Sequence, residues 1–68
     1  RIVVSPAAGV FVPVADFRDG AHVDVGDVLG HIGDVEVRSL FTGTIGGFNA
    51  LDGERVTASQ PIAWLRTA

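Results

Sequence analysis

The sequence contains no lysine and no cysteine among its 68 residues. Without a thiol it can form no disulfide, cysteine nucleophile or thiolate metal site, which fits a reducing compartment and predicts a cytoplasmic protein. The five basic residues are arginines spread along the chain and the formal net charge is −3, so we expect no nucleic-acid partner and no anionic membrane surface. No apolar run approaches the ~20 residues of a membrane span.

The composition predicts one small β-rich domain over residues 1–68. Hydrophobic residues make up 47% of the chain, charged residues 19%, and nine glycines supply turns. A domain of this size buries only about 60% of its unfolded surface, which leaves little room for an enclosed active site. The chain begins with Arg1, and we expect it to be part of a longer chain or complex.

The middle of the chain predicts a tight β-hairpin. Two apolar-alternating runs, Val28–Ile32 and Val35–Arg38, flank Gly33 and Asp34. Glycine at the first loop position supplies the positive φ that a two-residue II′ turn requires. No stretch has a sustained helical period, and about seven or eight short strands separated by turns predict an all-β sandwich or barrel.

The two halves of the chain, about residues 5–32 and 39–65, are similar to each other. Ser5, Gly9, Gly20, Val23 and Gly26 are followed by Ser39, Gly43, Gly53, Val56 and Ser59 at offsets of 34 and then 33 residues. Neither half can bury its own apolar face, so we expect them to close around a pseudo-twofold axis. The pairs expected in the core are Val23 and Val56, Val28 and Pro61, and Ile32 and Leu65.

Three segments resemble the biotinyl/lipoyl attachment domains. They are Ser5-Pro-Ala-Ala-Gly-Val10, Asp19-Gly-Ala-His-Val-Asp-Val-Gly-Asp-Val-Leu-Gly30 and Ser39-Leu-Phe-Thr-Gly-Thr-Ile45. The resemblance covers nearly the whole chain. It implies the barrel-sandwich hybrid, a flattened barrel of two four-stranded antiparallel sheets with the termini close together.

The resemblance fails where a carrier is modified. Carrier domains present a lysine at the hairpin tip, in biotinyl domains within Met-Lys-Met, whereas this tip reads Gly33-Asp34. The segment between Gly26 and Gly43 is also several residues shorter than in a carrier. The comparison with the family therefore implies that neither biotin nor lipoate can be attached, and we expect no cofactor.

The two histidines are the remaining candidates for chemistry. His22 and His31 are the possible metal ligands, together with Asp24, Asp27 or Glu36, because imidazole and carboxylate suit zinc. Their spacing is not that of a metal motif, and structural histidines explain them as well. A histidine and a carboxylate can form a general acid/base pair, but nothing in the chain supplies a nucleophile. We therefore predict no enzymatic activity and no catalytic residues.

Phe11, Phe41, Phe48 and Trp64 are the candidate interface residues. If Val10 and Val12 face the core, strand alternation turns Phe11 outward. Either these aromatics form an exposed patch that marks an interface, or irregular strands place them in a second small core.

The expected function is therefore a non-catalytic docking or assembly module with a protein partner or flanking domain, in a homo- or hetero-oligomer. Similar modification-free domains accompany zinc-dependent desuccinylase/aspartoacylase-like enzymes, molybdenum hydroxylases and the adaptors of efflux pumps. The opening of this chain and its short hairpin are most similar to the first two. The alternative is an unmodified carrier-like subunit of an acyl-CoA carboxylase.

Overall fold

The structure is a computed structural model that describes residues 1–67. These residues form eight short strands and no helix, and therefore no helix that could span a membrane. The strands are β1 (Ile2–Val4), β2 (Gly9–Pro13), β3 (His22–Val23), β4 (Val28–Ile32), β5 (Val35–Arg38), β6 (Gly43–Phe48), β7 (Arg55–Val56) and β8 (Pro61–Arg66). The all-β prediction and the bounds predicted for β4 and β5 are confirmed.

The strands form two four-stranded antiparallel sheets. One has the order β1-β8-β6-β3 and the other the order β5-β4-β2-β7. Each sheet contributes one face to a shared apolar core, whose burial is the main favourable contribution to folding. The core consists of Val3, Phe11, Val23, Leu29, Ile32, Val37, Ile45, Ala50, Val56, Ile62, Ala63 and Leu65.

The internal repeat is visible in the strand order. A shift of 34 residues carries β1 and β2 onto β5 and β6, and a shift of 33 residues carries β3 and β4 onto β7 and β8. The same shifts convert one sheet order into the other. Each sheet contains two strands from each half, so neither half can form a complete sheet without the other.

Equivalent hydrogen bonds join the halves crosswise. The Gly20 amide donates to the Ile45 carbonyl at 2.7 Å, and the equivalent Gly53 amide donates to the Phe11 carbonyl at 2.8 Å. Both glycines follow an aspartate and have positive φ, +89° and +82°. Each half therefore contains the predicted Asp-Gly turn, and each turn forms a backbone hydrogen bond with a strand of the other half.

The turns after β3 and β7 are also equivalent. The Gly26 amide donates to the Ser39 carbonyl and the Ser59 amide donates to the Ser5 carbonyl, both at 2.8 Å. Gly26 has a φ of +91°, and Ser59 at +66° is the one non-glycine residue of the described chain with positive φ. The backbone thus repeats a left-handed conformation even where the residue type differs.

The alternative in which Phe11 faces outward was wrong. Phe11 is fully buried, whereas Val10 and Val12 are exposed. The reason lies on the neighbouring strand, where Gly30 has no side chain and the Phe11 ring occupies the space that a Cβ atom there would need. Phe11 therefore belongs to the core and cannot form part of an exposed aromatic patch.

One expected core pair was also wrong. Val28 is only partly buried and Pro61 is exposed, while the other two pairs are buried as expected. The ladder is irregular between Val28 and Gly30, and it is irregular again where Val4 pairs with Pro61. Both residues therefore lie next to an irregularity of the ladder, as at a β-bulge, where the alternation of the strand is interrupted.

Candidate functional site

The hairpin tip is an exposed two-residue turn. Ile32 pairs with Val35, and Gly33 and Asp34 join them. Gly33 has a φ of +60°, Asp34 is not in the positive-φ region, and both are exposed. The positive φ that the sequence predicts for Gly33 is confirmed, and the side chain at the tip is a carboxylate.

Polar side chains continue along the outer face of the hairpin. Glu36 lies opposite His31 in the ladder, and its carboxylate accepts a 2.5 Å hydrogen bond from the Arg38 guanidinium. The same guanidinium donates to the Gly26 carbonyl at 2.8 Å. This face is a solvated network of charges, and an exposed ion pair of this kind contributes about 0–1 kcal/mol to stability.

The two histidines lie on different sheets. His22 is on β3, where its Nε2 lies 3.1 Å from Asp24 Oδ1 in an exposed pair. His31 is on β4, opposite Val12 and Glu36. Within residues 1–67 no group of three or more histidine, aspartate or glutamate side chains could hold a metal ion.

The four aromatic candidates separate into two groups. Phe11 and Phe48 lie together, with ring centroids 6.3 Å apart, and Phe48 is partly buried against the core. Phe41 is partly buried and Trp64 is 36% exposed. Trp64 lies on β8, and Phe41 lies in the loop between β5 and β6.

We call the surface formed by Ile2, Val4, Leu40, Phe41 and Trp64 the Trp64 face. Ile2 pairs with Trp64 across β1 and β8, so these two outward side chains are neighbours. A depression of about 90 Å³ lies beside them and is lined by Ile2, Val4, Leu40 and Phe41 among others. Leu40 is 75% exposed, and Ile2 joins the two parts of the face because it pairs with Trp64 and also lines the depression.

The indole of Trp64 rests on two glycines. A Cβ atom at Gly46 would overlap the six-membered ring, and one at Gly47 would lie 2.8 Å from Nε1. The ladder between β6 and β8 is irregular between Ile45 and Gly47, as expected for a β-bulge. The bulge and the two glycines therefore form a flat seat for the ring.

Arginines surround the Trp64 face. The Arg66 guanidinium carbon lies 5.5 Å from the Trp64 ring centroid, and that of Arg1 lies 5.3 Å from the Phe41 centroid. Both distances are in the range of cation–π interactions. Arg38 lines the adjoining depression. In the part of the chain that the structure describes, no carboxylate forms an ion pair with Arg1 or Arg66.

A second apolar hollow lies between equivalent loops of the two halves. It has a volume of about 470 Å³, and its walls include Phe17, Phe48 and Leu51. Arg18, Asp19 and Asp52 also line it. Leu51 is 72% exposed, so this hollow is an open groove rather than an enclosed active site.

Sequence reasoning missed three residues of the Trp64 face, namely Ile2, Val4 and Leu40. Alternation in β1 places Ile2 and Val4 on one side and Val3 on the other, and that signal was present in the sequence. The pairing of Ile2 with Trp64 depends on the register between β1 and β8. Leu40 lies in a loop, where no pattern indicates exposure.

The chain matches no protein-family model and no curated protein. It is similar to the structure of a succinylglutamate desuccinylase/aspartoacylase from Rhodobacter sphaeroides, with a TM-score of 0.73 and 28% identity, over 94% of this chain and 21% of that one. It is also similar to the urea carboxylase of Kluyveromyces lactis, with a TM-score of 0.78 and 24% identity, over 97% of this chain and 6% of that one.

This chain thus spans about a fifth of the length of the first protein and a smaller part of the second. The likeness to the urea carboxylase is one of fold, and it fits the biotinyl-like architecture that the sequence motifs imply.

Proposed function

We propose that this chain is a non-catalytic docking or assembly module that has the architecture of a biotinyl/lipoyl carrier domain but cannot carry biotin or lipoate. The observation that carries the proposal is the hairpin tip, where an exposed Gly33-Asp34 turn ends an otherwise complete carrier-like barrel. Attachment of either group forms an amide with a primary amine. The sequence has no lysine side chain, and arginine remains protonated and cannot replace it.

The surfaces of the module support a docking role. It exposes the apolar Trp64 face on one of its two sheets. Exposed apolar patches of this kind mark protein interaction sites. The two solved structures described above are much longer chains, and this supports a role beside flanking domains or subunits.

Two mass measurements test this proposal. Incubation of the purified chain with biotin protein ligase or lipoate ligase is expected to leave its intact mass unchanged, while a lysine-bearing biotinyl domain in the same reaction gains the group. Native mass spectrometry of the complete polypeptide, purified gently from its own cells, is expected to detect a defined complex with another protein. A bare monomer that retains a small molecule or metal would contradict the docking role.

A second candidate makes the module an accessory domain of a larger desuccinylase/aspartoacylase-like polypeptide. The similarity to the Rhodobacter sphaeroides structure, at 28% identity over 94% of this chain, favours it. The test is to delete residues 1–68 from the complete polypeptide. The deletion is expected to change how its subunits assemble and to leave the kcat of the remaining protein unchanged. Loss of kcat with unchanged assembly would contradict the accessory role.

A further inference from the structure

We propose that the Trp64 face is the docking surface of this module, and that its partner is a protein surface with an apolar centre and carboxylates around it. The inference rests on the docking role proposed above and narrows it to one face and one partner chemistry.

The pseudo-twofold repeat provides an internal comparison for this face. The two sheets have the same backbone plan, so each outward position on one sheet has an equivalent on the other. The equivalent pairs are Ile2 and Glu36, Val4 and Arg38, Trp64 and His31, and Leu40 and Pro6. The fold therefore tolerates polar or small residues at all four positions, and the apolar residues on the Trp64 face are not required by the architecture.

Trp64 has the properties of an interface anchor. Its ring is held flat on Gly46 and Gly47 and remains 36% exposed. Because the seat restricts the indole before a partner arrives, little side-chain freedom remains to be lost on binding. Tryptophan and arginine are the residue types enriched among the energetic centres of interfaces, and here Arg66 lies beside Trp64.

The arginines beside the Trp64 face indicate the charge of its partner. Arg1 and Arg66 border the face and pair with no carboxylate among the described residues, although the chain as a whole has a net charge of −3. Two copies of this face placed against each other would bring arginines together, and like charges across an interface disfavour the complex. A distinct protein with carboxylates around an apolar centre complements both the charge and the apolar surface.

Photo-crosslinking in the complete polypeptide tests whether the partner binds at the Trp64 face. A photoreactive phenylalanine analogue is placed at Leu40 or, as the matched control, at Leu51, which is equally exposed at 72% but lines the groove at the other loops. In the protein's own cells, position 40 is expected to crosslink to one protein or flanking domain, through a peptide that contains Asp or Glu near apolar residues. Position 51 is expected to give at most a tenth of that yield.

Binding measurements with the identified partner test whether apolar contacts and arginine charges of the Trp64 face contribute to binding. Leu40→Glu is expected to raise Kd at least tenfold, whereas Leu51→Glu changes it less than twofold. Arg66→Glu is expected to raise Kd about threefold to tenfold, and Kd for the parent protein is expected to rise with salt. Both leucines are largely exposed, so circular dichroism is expected to show that their variants remain folded.

Several results would overturn this inference. They are crosslinks from position 40 to a second copy of this chain, equal crosslinking from position 51, binding to phosphatidylcholine/phosphatidylserine vesicles in place of a protein, or no crosslink from position 40. If native mass spectrometry still detects a complex with a protein, only the location and chemistry of the face are wrong. If no protein complex forms, the proposed docking function fails as well.

Discussion

Substitution of Gly30 by alanine tests the packing between the sheets. Gly30 is buried in β4 and has no positive φ, so a side chain there meets no backbone strain. A Cβ atom, however, would lie 2.6 Å from Phe11 Cε1 and 2.7 Å from the Val12 carbonyl oxygen. Ordinary contacts begin at 3.4 Å, so one methyl group is too large for this site.

Neither neighbour can move at low cost. The Phe11 ring is fully buried between the sheets, and the Val12 carbonyl belongs to the backbone of a strand paired with β4. Overpacking of this kind costs about 1–3 kcal/mol, and the reduced freedom of the unfolded alanine chain offsets about 0.4–1 kcal/mol. Because one of the two short contacts is to backbone, we expect a net loss of about 2 kcal/mol.

Such a loss is large for this chain. A domain of this length has a total free energy of unfolding of roughly 3–10 kcal/mol. A loss of about 2 kcal/mol corresponds to a decrease in Tm of about 8–16 °C. Urea unfolding followed by circular dichroism and by the emission of Trp64, the only tryptophan, measures the change directly.

The equivalent residue in the second half is the matched control. Ala63 is fully buried, so Ala63→Gly is expected to destabilise the protein by about 1 kcal/mol through loss of a buried methyl group. A methyl group is thus expected to stabilise the protein at position 63 and to destabilise it at the equivalent position 30. Phe11→Leu in the Gly30→Ala background is expected to recover at least about 0.5 kcal/mol relative to additivity. A Gly30→Ala protein within about 0.5 kcal/mol of the parent would refute the packing argument.

Three further predictions concern the hairpin tip and the Trp64 face. Gly33→Val is expected to lower the free energy of unfolding by roughly 1–3 kcal/mol in urea titrations, because a β-branched residue is strained at positive φ; parental stability would contradict the turn assignment. Asp34→Lys is expected to remain unmodified after treatment with biotin protein ligase, because the flanking residues of a carrier are missing, and a gain in intact mass would mean that carrier geometry persists. Gly46→Ala is expected to displace the Trp64 indole, which shifts its emission to longer wavelength and increases acrylamide quenching; unchanged emission would contradict the glycine seat.

Much of the fold could be predicted from residue types and patterns in short stretches of the sequence. The Gly33-Asp34 hairpin follows from a glycine between two alternating runs, and its strand bounds agree with the structure. The repeated Asp-Gly turns follow from the need for positive φ at Gly20 and Gly53. These features depend on a few adjacent residues, and therefore no tertiary information was needed to find them.

The candidate site was less accessible to sequence reasoning. The absence of lysine is the basis of the proposal that neither biotin nor lipoate is attached, because attachment requires a primary amine. The proposed docking surface depends on which residues become neighbours: Ile2 and Trp64 are far apart in the sequence and adjacent in the structure. Leu40 joins them only because its loop reaches the same edge of the sheet.

The sequence by itself determined the all-β class, the turns and the lack of lysine, because each depends on residue type or short spacing. It also determined the internal repeat, because that is a similarity between two stretches of the sequence. Only the tertiary structure decided which side of each strand is buried. Alternation shows that Phe11 and its neighbours face opposite ways, but it does not state which way is inward. That choice is made by Gly30 on the adjacent strand, which leaves space for the Phe11 ring and turns Val10 and Val12 to the surface.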